Sequence, residues 1–159
     1  MLLVLTERLT RYELVFRLPD KSACSVVHCL DTLERQCGRH FRRIFKTITV
    51  DNGCEFLRFS EMERSRLSTT ARRTAVYYCH PYASSERGSN EKQNQMLRRK
   101  IPKGTPIERL SDADIHAAAH WLNDYPRVLF SFRSAASLFQ FSLFSIGLQS
   151  FFDKFRKIS

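Results

Sequence analysis

The sequence predicts an α/β fold, because short β-forming runs and helical apolar stripes follow one another along a chain of one-domain length. Hydrophobic residues make up 43% of it and aromatics 12%, enough to bury a core and to exclude wholesale disorder.

The elements follow in order. Leu2-Leu3-Val4-Leu5-Thr6 is short, apolar and bounded by charge, which reads as a buried strand. Tyr12 to Leu18 alternates as a second strand, Pro19-Asp20 ends it, and the two runs form an antiparallel hairpin. Ser22 offers an N-cap to a helix whose apolar stripe is Ala23, Val26, Val27, Leu30, Leu33 and Cys37, and Gly38 stops it. Phe45 to Val50 is rich in β-branched residues and reads as a strand, which Asn52-Gly53 breaks. Residues 55–66 are expected to be helical around Phe56, Leu57, Phe59 and Met62, and 68–74 to be a loop. Ala75 to Cys79 is a short strand ended by His80-Pro81.

Ser89 caps a helix running from about Asn90 to Lys100. Only Met96, Leu97 and Ile101 can pack there, while Glu91, Asn94, Gln95 and Arg98 share one polar face. Such a helix is solvated or lies along a charged ligand. Pro102 to Pro106 is a rigid basic turn. Ser111-Asp112-Ala113-Asp114 has the pattern of a capping box opening a helix striped by Ile115, Ala118, Ala119 and Leu122, which Asn123 to Pro126 ends. A further helix follows Ser134. Eight of the thirteen phenylalanines fall between Phe130 and Phe155, in no pattern that assigns their place.

Twenty-six Lys and Arg against sixteen Asp and Glu give a net charge of +10, spread over Arg42-Arg43, Arg72-Arg73 and Arg98-Arg99-Lys100-Lys103. That balance favours an anionic partner, nucleic acid being the commonest. Five cysteines without a C-x-x-C pair argue against a disulfide framework or structural zinc, and fit reduced thiols in a cytoplasm. Met1 to Leu5 is too short for a signal peptide or membrane span, and Gln140 and Gln149 interrupt the Phe-rich stretch, so no membrane role is expected.

Asp51 ends a strand, where a carboxylate can project into a ligand crevice, although Asp-Asn-Gly also makes an ordinary Asx-turn. Glu91 stands in a first helical turn, where the macrodipole favours an acid in any case. Glu55 and Glu86 are alternatives that spacing leaves open. Cys24 with His28, and His116 with His120, lie four apart on helices but lack a third ligand, and Ala117 stands where a zinc-protease helix needs Glu.

Together, several segments resemble a known family. These are Ile48-Thr49-Val50-Asp51-Asn52-Gly53 with Glu55-Phe56, Tyr77-Tyr78-Cys79-His80-Pro81-Tyr82 with Ser84, Glu86-Arg87-Gly88-Ser89-Asn90-Glu91 with Asn94, and Ile101-Pro102-Lys103-Gly104-Thr105. In order, they look like the catalytic core of bacterial insertion-sequence transposases of the IS-thirty family, within the DDE transposase and retroviral-integrase superfamily. Glu7-Arg8 with Thr10-Arg11-Tyr12, and Leu122-Asn123 with Tyr125-Pro126-Arg127, look like its flanking motifs. The resemblance spans roughly residues 2–139, so 1–139 is expected to be an integrase-type core and 140–159 a tail of unknown origin.

The resemblance implies a ribonuclease H-like fold, a five-stranded mixed sheet flanked by helices. It implies that Asp51 and Glu91 are the second and third catalytic acids, ligands to two Mg²⁺ or Mn²⁺ ions. Arg87, Asn94, Arg98, Arg99 and Lys103 would bind DNA, at transposon ends and target, within a homo-oligomer. The activity implied is metal-dependent phosphodiester cleavage and strand transfer. Three departures qualify it. The family's first acid and central strand precede the Leu2–Thr6 run, as does its helix-turn-helix, so the chain is expected to lack them. Ser85 replaces an aromatic, and Lys92 replaces an asparagine. The chain alone is therefore expected to be inactive; the alternative is a non-catalytic DNA-binding or transposase-interacting remnant.

Overall fold

The structure, a computed structural model, describes residues 1–7, 9–50, 53–78 and 94–158. In chain order its elements are β1 (Leu2–Thr6), β2 (Glu13–Arg17), α1 (Ala23–Cys37), α2 (Phe41–Ile44), β3 (Thr47–Val50), α3 (Phe59–Glu63), β4 (Ala75–Tyr78), α4 (helical residues 94–100), α5 (Asp112–Asp124), α6 (Ala135–Ser145) and α7 (Phe151–Ile158). The architecture is mixed α/β, and the described strands make two two-stranded sheets, β1 with β2 and β3 with β4. Two compact units result: Met1 with Leu18–Arg87, and Leu2–Arg17 with Gly88–Ser159.

In the first unit, α1 begins where the sequence places it. The Ser22 hydroxyl accepts from the Ser25 N–H, satisfying one orphan donor of the first turn. Gly38 ends the helix at a φ of 57°, a conformation only glycine adopts without strain. Val26, Val27, Leu30, Leu33 and Cys37 are buried along one stripe. β3 and β4 pair in parallel, from Thr47 opposite Ala75 to Val50 opposite Tyr78. The strand expected from Phe45 starts two residues later, because α2 extends to Ile44 and the Phe45 N–H still donates to the Phe41 carbonyl.

The helix expected over 55–66 is shorter too: a 3-10 turn at Cys54–Phe56, then α3. Arg73 explains its end. This residue is 1% exposed, and its Nε donates to the Met62 carbonyl at 2.6 Å while Nη2 donates to that of Glu61 at 3.2 Å. A guanidinium thus takes the place of a further helical turn. Arg64 turns extended and bridges Arg72, which closes the 64–72 loop. The same guanidinium binds two buried acids of α1, Asp31 at 2.6 Å and Glu34 at 3.3 Å. Arg66 also binds Asp31, at 2.7 Å, and its backbone N–H donates to Glu34 at 2.9 Å. Two acids and two arginines thereby balance in charge, as buried ions must.

In the second unit, β1 and β2 form the expected hairpin, with Leu2 opposite Arg17 and Thr6 opposite Glu13. Its turn is held by the Glu7 carboxylate, which accepts from the N–H groups of Leu9 and Thr10 and from the Thr10 hydroxyl at 2.6–2.9 Å. α5 opens on a complete capping box of Ser111 and Asp114 and buries Ile115, Ala118, Ala119 and Leu122. It is clasped to β2 by Asn123, whose amide accepts from the Glu13 N–H and donates to the Glu13 carbonyl, both at 2.8 Å. Arg17 ties the other end, through Asp112 at 2.9 Å.

The phenylalanine-rich end is part of this core. Tyr12 stacks on Phe139 at 4.4 Å, Phe152 lies 6.3 Å from Tyr12, and Phe139 meets Phe155 at 5.5 Å. Arg156 of α7 pairs with Asp124 at 2.9 Å, and its carbonyl accepts a hydrogen bond of 2.6 Å from the His120 ring. No described helix is long and apolar enough to cross a membrane.

Candidate nucleic-acid interface

The basic helix α4 belongs to the second unit. Leu97 and Ile101 are buried against Val15, Ile115, Ala118, Ala119 and Leu122, and Met96 packs partly against the same cluster. These are the three residues the sequence assigns to packing. Ile101 extends the helical bonding, its N–H donating to the Leu97 carbonyl at 2.8 Å. Anchored on so narrow an apolar edge, the helix leaves Asn94, Gln95, Arg98, Arg99 and Lys100 exposed. Asn94 and Arg98 lie one turn apart on a common face. Lys103 stands exposed in the following turn, which the Thr105 hydroxyl pins by donating to the Pro102 carbonyl at 2.8 Å. Lys100 lies 4.8 Å from the Trp121 ring centre, a cation–π contact that holds its stem on α5. Among the described residues no carboxylate pairs with Arg98, Arg99 or Lys103, so their charge faces solvent.

Of the other residues assigned by resemblance, Asp51, Arg87 and Glu91 lie outside the described residues, as does the alternative Glu86. β3, the strand before Asp51, ends at Val50, which is buried opposite Tyr78. The alternative Glu55 has another occupation: it is 9% exposed and pairs with Lys21 at 3.6 Å. The histidine and cysteine pairs fare likewise. His120 spends its Nε2 hydrogen on the Arg156 carbonyl, and Cys24 lies 3.2 Å from the Arg58 guanidinium. Among the described residues no group of three His, Cys, Asp or Glu side chains could hold a metal ion.

The flanking motifs prove structural where they are described. Glu7 and Thr10 build the hairpin turn, and Asn123 clasps Glu13. Glu13 itself is fully buried, its carboxyl accepting from the Thr6 hydroxyl. Burial pushes its pKa up to about 8, against the lowering effect of that hydroxyl and of the charges on Arg127 and Arg11. Burial also lowers the pKa of Arg127, and the Glu13 charge only partly offsets this.

No family model matches the chain. Among curated proteins it is similar to a probable transposase for insertion-like sequence element IS1161 of Streptococcus salivarius, 34% identical over 87% of this chain and 36% of that protein. It is similar to the transposase for insertion sequence element IS1086 of Cupriavidus metallidurans, 31% identical over 82% of this chain and 36% of the relative. A third relative is transposase InsI for insertion sequence element IS30A of Escherichia coli, 28% identical over 86% of this chain and 33% of the relative. The chain thus spans about a third of the length of the curated relatives it matches. Over that third, the chain is similar to transposases of bacterial insertion sequences, one of an IS30 element among them.

Proposed function

We propose that this chain carries part of the catalytic core of a DDE-type DNA transposase, on a ribonuclease H-like fold. One observation supports the DNA reading above the rest. α4 buries only a narrow edge and turns Asn94, Arg98 and Arg99 outward, unopposed by any described carboxylate, in a chain whose relatives are transposases. Duplex DNA presents one negative charge per ~1.7 Å of axis, which a row of outward cations on a rigid helix matches. Arg98 and Arg99 take phosphate oxygens through their planar forks, Asn94 donates its amide, and Lys103 adds a point charge. Arg87 joins them by resemblance. Such contacts fix the position of the duplex without reading its sequence.

Asp51 and Glu91 supply hard carboxylate oxygens, the donor type that suits Mg²⁺ or Mn²⁺. Two such ions, when bound, activate an attacking water or 3′-hydroxyl and stabilise the leaving oxygen of an in-line displacement. The residues of this chain provide two of the three acids in the pattern, so the reading assigns the first to an upstream segment.

The test is strand transfer on a labelled transposon-end duplex in Mg²⁺ or Mn²⁺. The chain alone is expected to yield no product, and the chain joined to a relative's upstream segment to yield it. Asp51→Asn or Glu91→Gln should return the joined protein to background. Undiminished activity in either variant would remove these residues from the catalytic role. Robust activity from the chain alone would refute the assignment of the first acid. Metal-independent DNA binding with no strand transfer from the joined protein would favour the non-catalytic alternative.

A further inference from the structure

The arginine pairs 42–43 and 72–73 stand thirty positions apart, yet the first unit brings one member of the first pair and both of the second to one concavity. A pocket of about 230 Å³ lies between the end of α1 with α2 and the 64–73 loop; Arg39, Arg42, Arg72 and Arg73 line it, over Phe41 and Leu67. At ~30 Å³ each, that space corresponds to several water molecules.

Its electrostatics are one-sided. The single acid in the lining, Glu34, is already engaged: one oxygen accepts from the Ser65 hydroxyl, the other from the Arg66 N–H and Arg73. Arg73 is likewise consumed by Asp31, Glu34 and two carbonyls. Arg39 and Arg42 are exposed and pair with no carboxylate among the described residues. Arg72 uses Nη1 for Glu63 at 2.9 Å, which steadies one side of its fork and engages only one of its three nitrogens there. The rim is held in place as well. Arg64 and Arg72 bridge antiparallel, the Ser65 hydroxyl accepts from the N–H groups of Leu67 and Ser68, and the Ser68 hydroxyl accepts from those of Thr70 and Ala71.

From this geometry we infer a second phosphate site on the chain: Arg39, Arg42 and Arg72 grip a backbone phosphate of duplex DNA, apart from the α4 residues. Guanidinium forks match phosphate oxygens bidentately, and an apolar floor strengthens each pairing by lowering the local dielectric. This inference rests on the DNA reading above and adds a separate place of contact. The ligand chemistry is a phosphate group, so the experiment separates DNA from free phosphate.

The test measures binding of a fluorescent duplex by the full chain across a salt series, with wild type, Arg39→Ala/Arg42→Ala, Arg39→Lys/Arg42→Lys and Arg98→Ala/Arg99→Ala. Each phosphate contact contributes ~0.9 to the log–log salt slope. The Arg39/Arg42 alanine pair should therefore reduce the slope by about 0.9, and the lysine pair should retain most of it. Circular dichroism and the thermal midpoint should stay unchanged, because both side chains are exposed. An unchanged slope in the folded alanine pair, with a reduced slope in the Arg98/Arg99 pair, would overturn this site and leave the α4 reading standing. No salt-dependent duplex binding by wild type would overturn both. Inorganic phosphate displacing the duplex equally from wild type and the alanine pair at matched ionic strength would also overturn it, since a gripped phosphate competes only where the grip exists.

Discussion

Arg73 shows how one side chain can define a unit of structure. It is almost fully enclosed, yet it neutralises Asp31 and Glu34, ends α3 and so shapes the loop that lines the arginine pocket. Removing one partner of a buried ionic cluster leaves uncompensated charge, which costs about 3–5 kcal/mol. Arg73→Met is expected to destabilise by that much in urea unfolding, and a loss below 1 kcal/mol would show that the cluster relaxes. Burial works to raise the Asp31 pKa, but Arg66 and Arg73 outweigh it and hold the carboxyl below its ordinary value. The stability it contributes is therefore present at neutral pH and lost as pH falls through that lowered value. Glu13 has the opposite sign. Its carboxyl is neutral in the fold up to about pH 8 and ionises near 4.5 when unfolded, so stability falls as pH rises between those values. At 1.36 kcal/mol per pH unit the loss is roughly 5 kcal/mol. Glu13→Gln keeps an acceptor for Thr6 and should flatten that slope; a slope that persists would place its origin elsewhere.

At the scale of elements, local chemistry was the legible part. α1 and α5 were readable from caps three residues from their partners and from stripes at helical spacing, and the hairpin from two apolar runs around a polar turn. Ser111→Ala should cost about 1 kcal/mol, the usual value of an N-cap. α2, the short α3 and the role of the phenylalanines were not legible, because their causes are distant. The residue that ends α3 lies beyond the loop, and α7 acquires its place from Tyr12, Asp124 and His120. Truncation after Gln149 should therefore expose Tyr12 and Phe139, lower the thermal midpoint and raise binding of an apolar dye. A chain that melts unchanged without α7 would contradict the packing seen here. For α4, Leu97→Ala should cost about 2–5 kcal/mol, whereas Arg98→Ala leaves stability within ~0.5 kcal/mol and acts only on DNA binding.

At the scale of the molecule, the excess of positive charge acquires places: α4 with its following turn, and the pocket rim. Arg98, Arg99 and Lys103 on one phosphate each, with Arg39 and Arg42 sharing another, imply a salt slope of about −3.6, or ~150-fold weaker duplex binding between 50 and 200 mM salt. A slope near zero would sink the polyanion reading altogether. The proposal of Asp51 and Glu91 as catalytic acids rests only on ordered resemblance, since Asp51 alone reads as a turn former and Glu91 alone as an ordinary first-turn acid. The arginine pocket was hidden because charge runs show no convergence until the chain folds. The clasp of Asn123 on Glu13 spans 110 positions. During synthesis, β2 must wait for the Asn123 segment, 110 positions later, to leave the ribosome before it meets α5. Contacts of such sequence separation fold slowly. Until then the nascent hairpin carries Val15 without the α5 side chains that bury it.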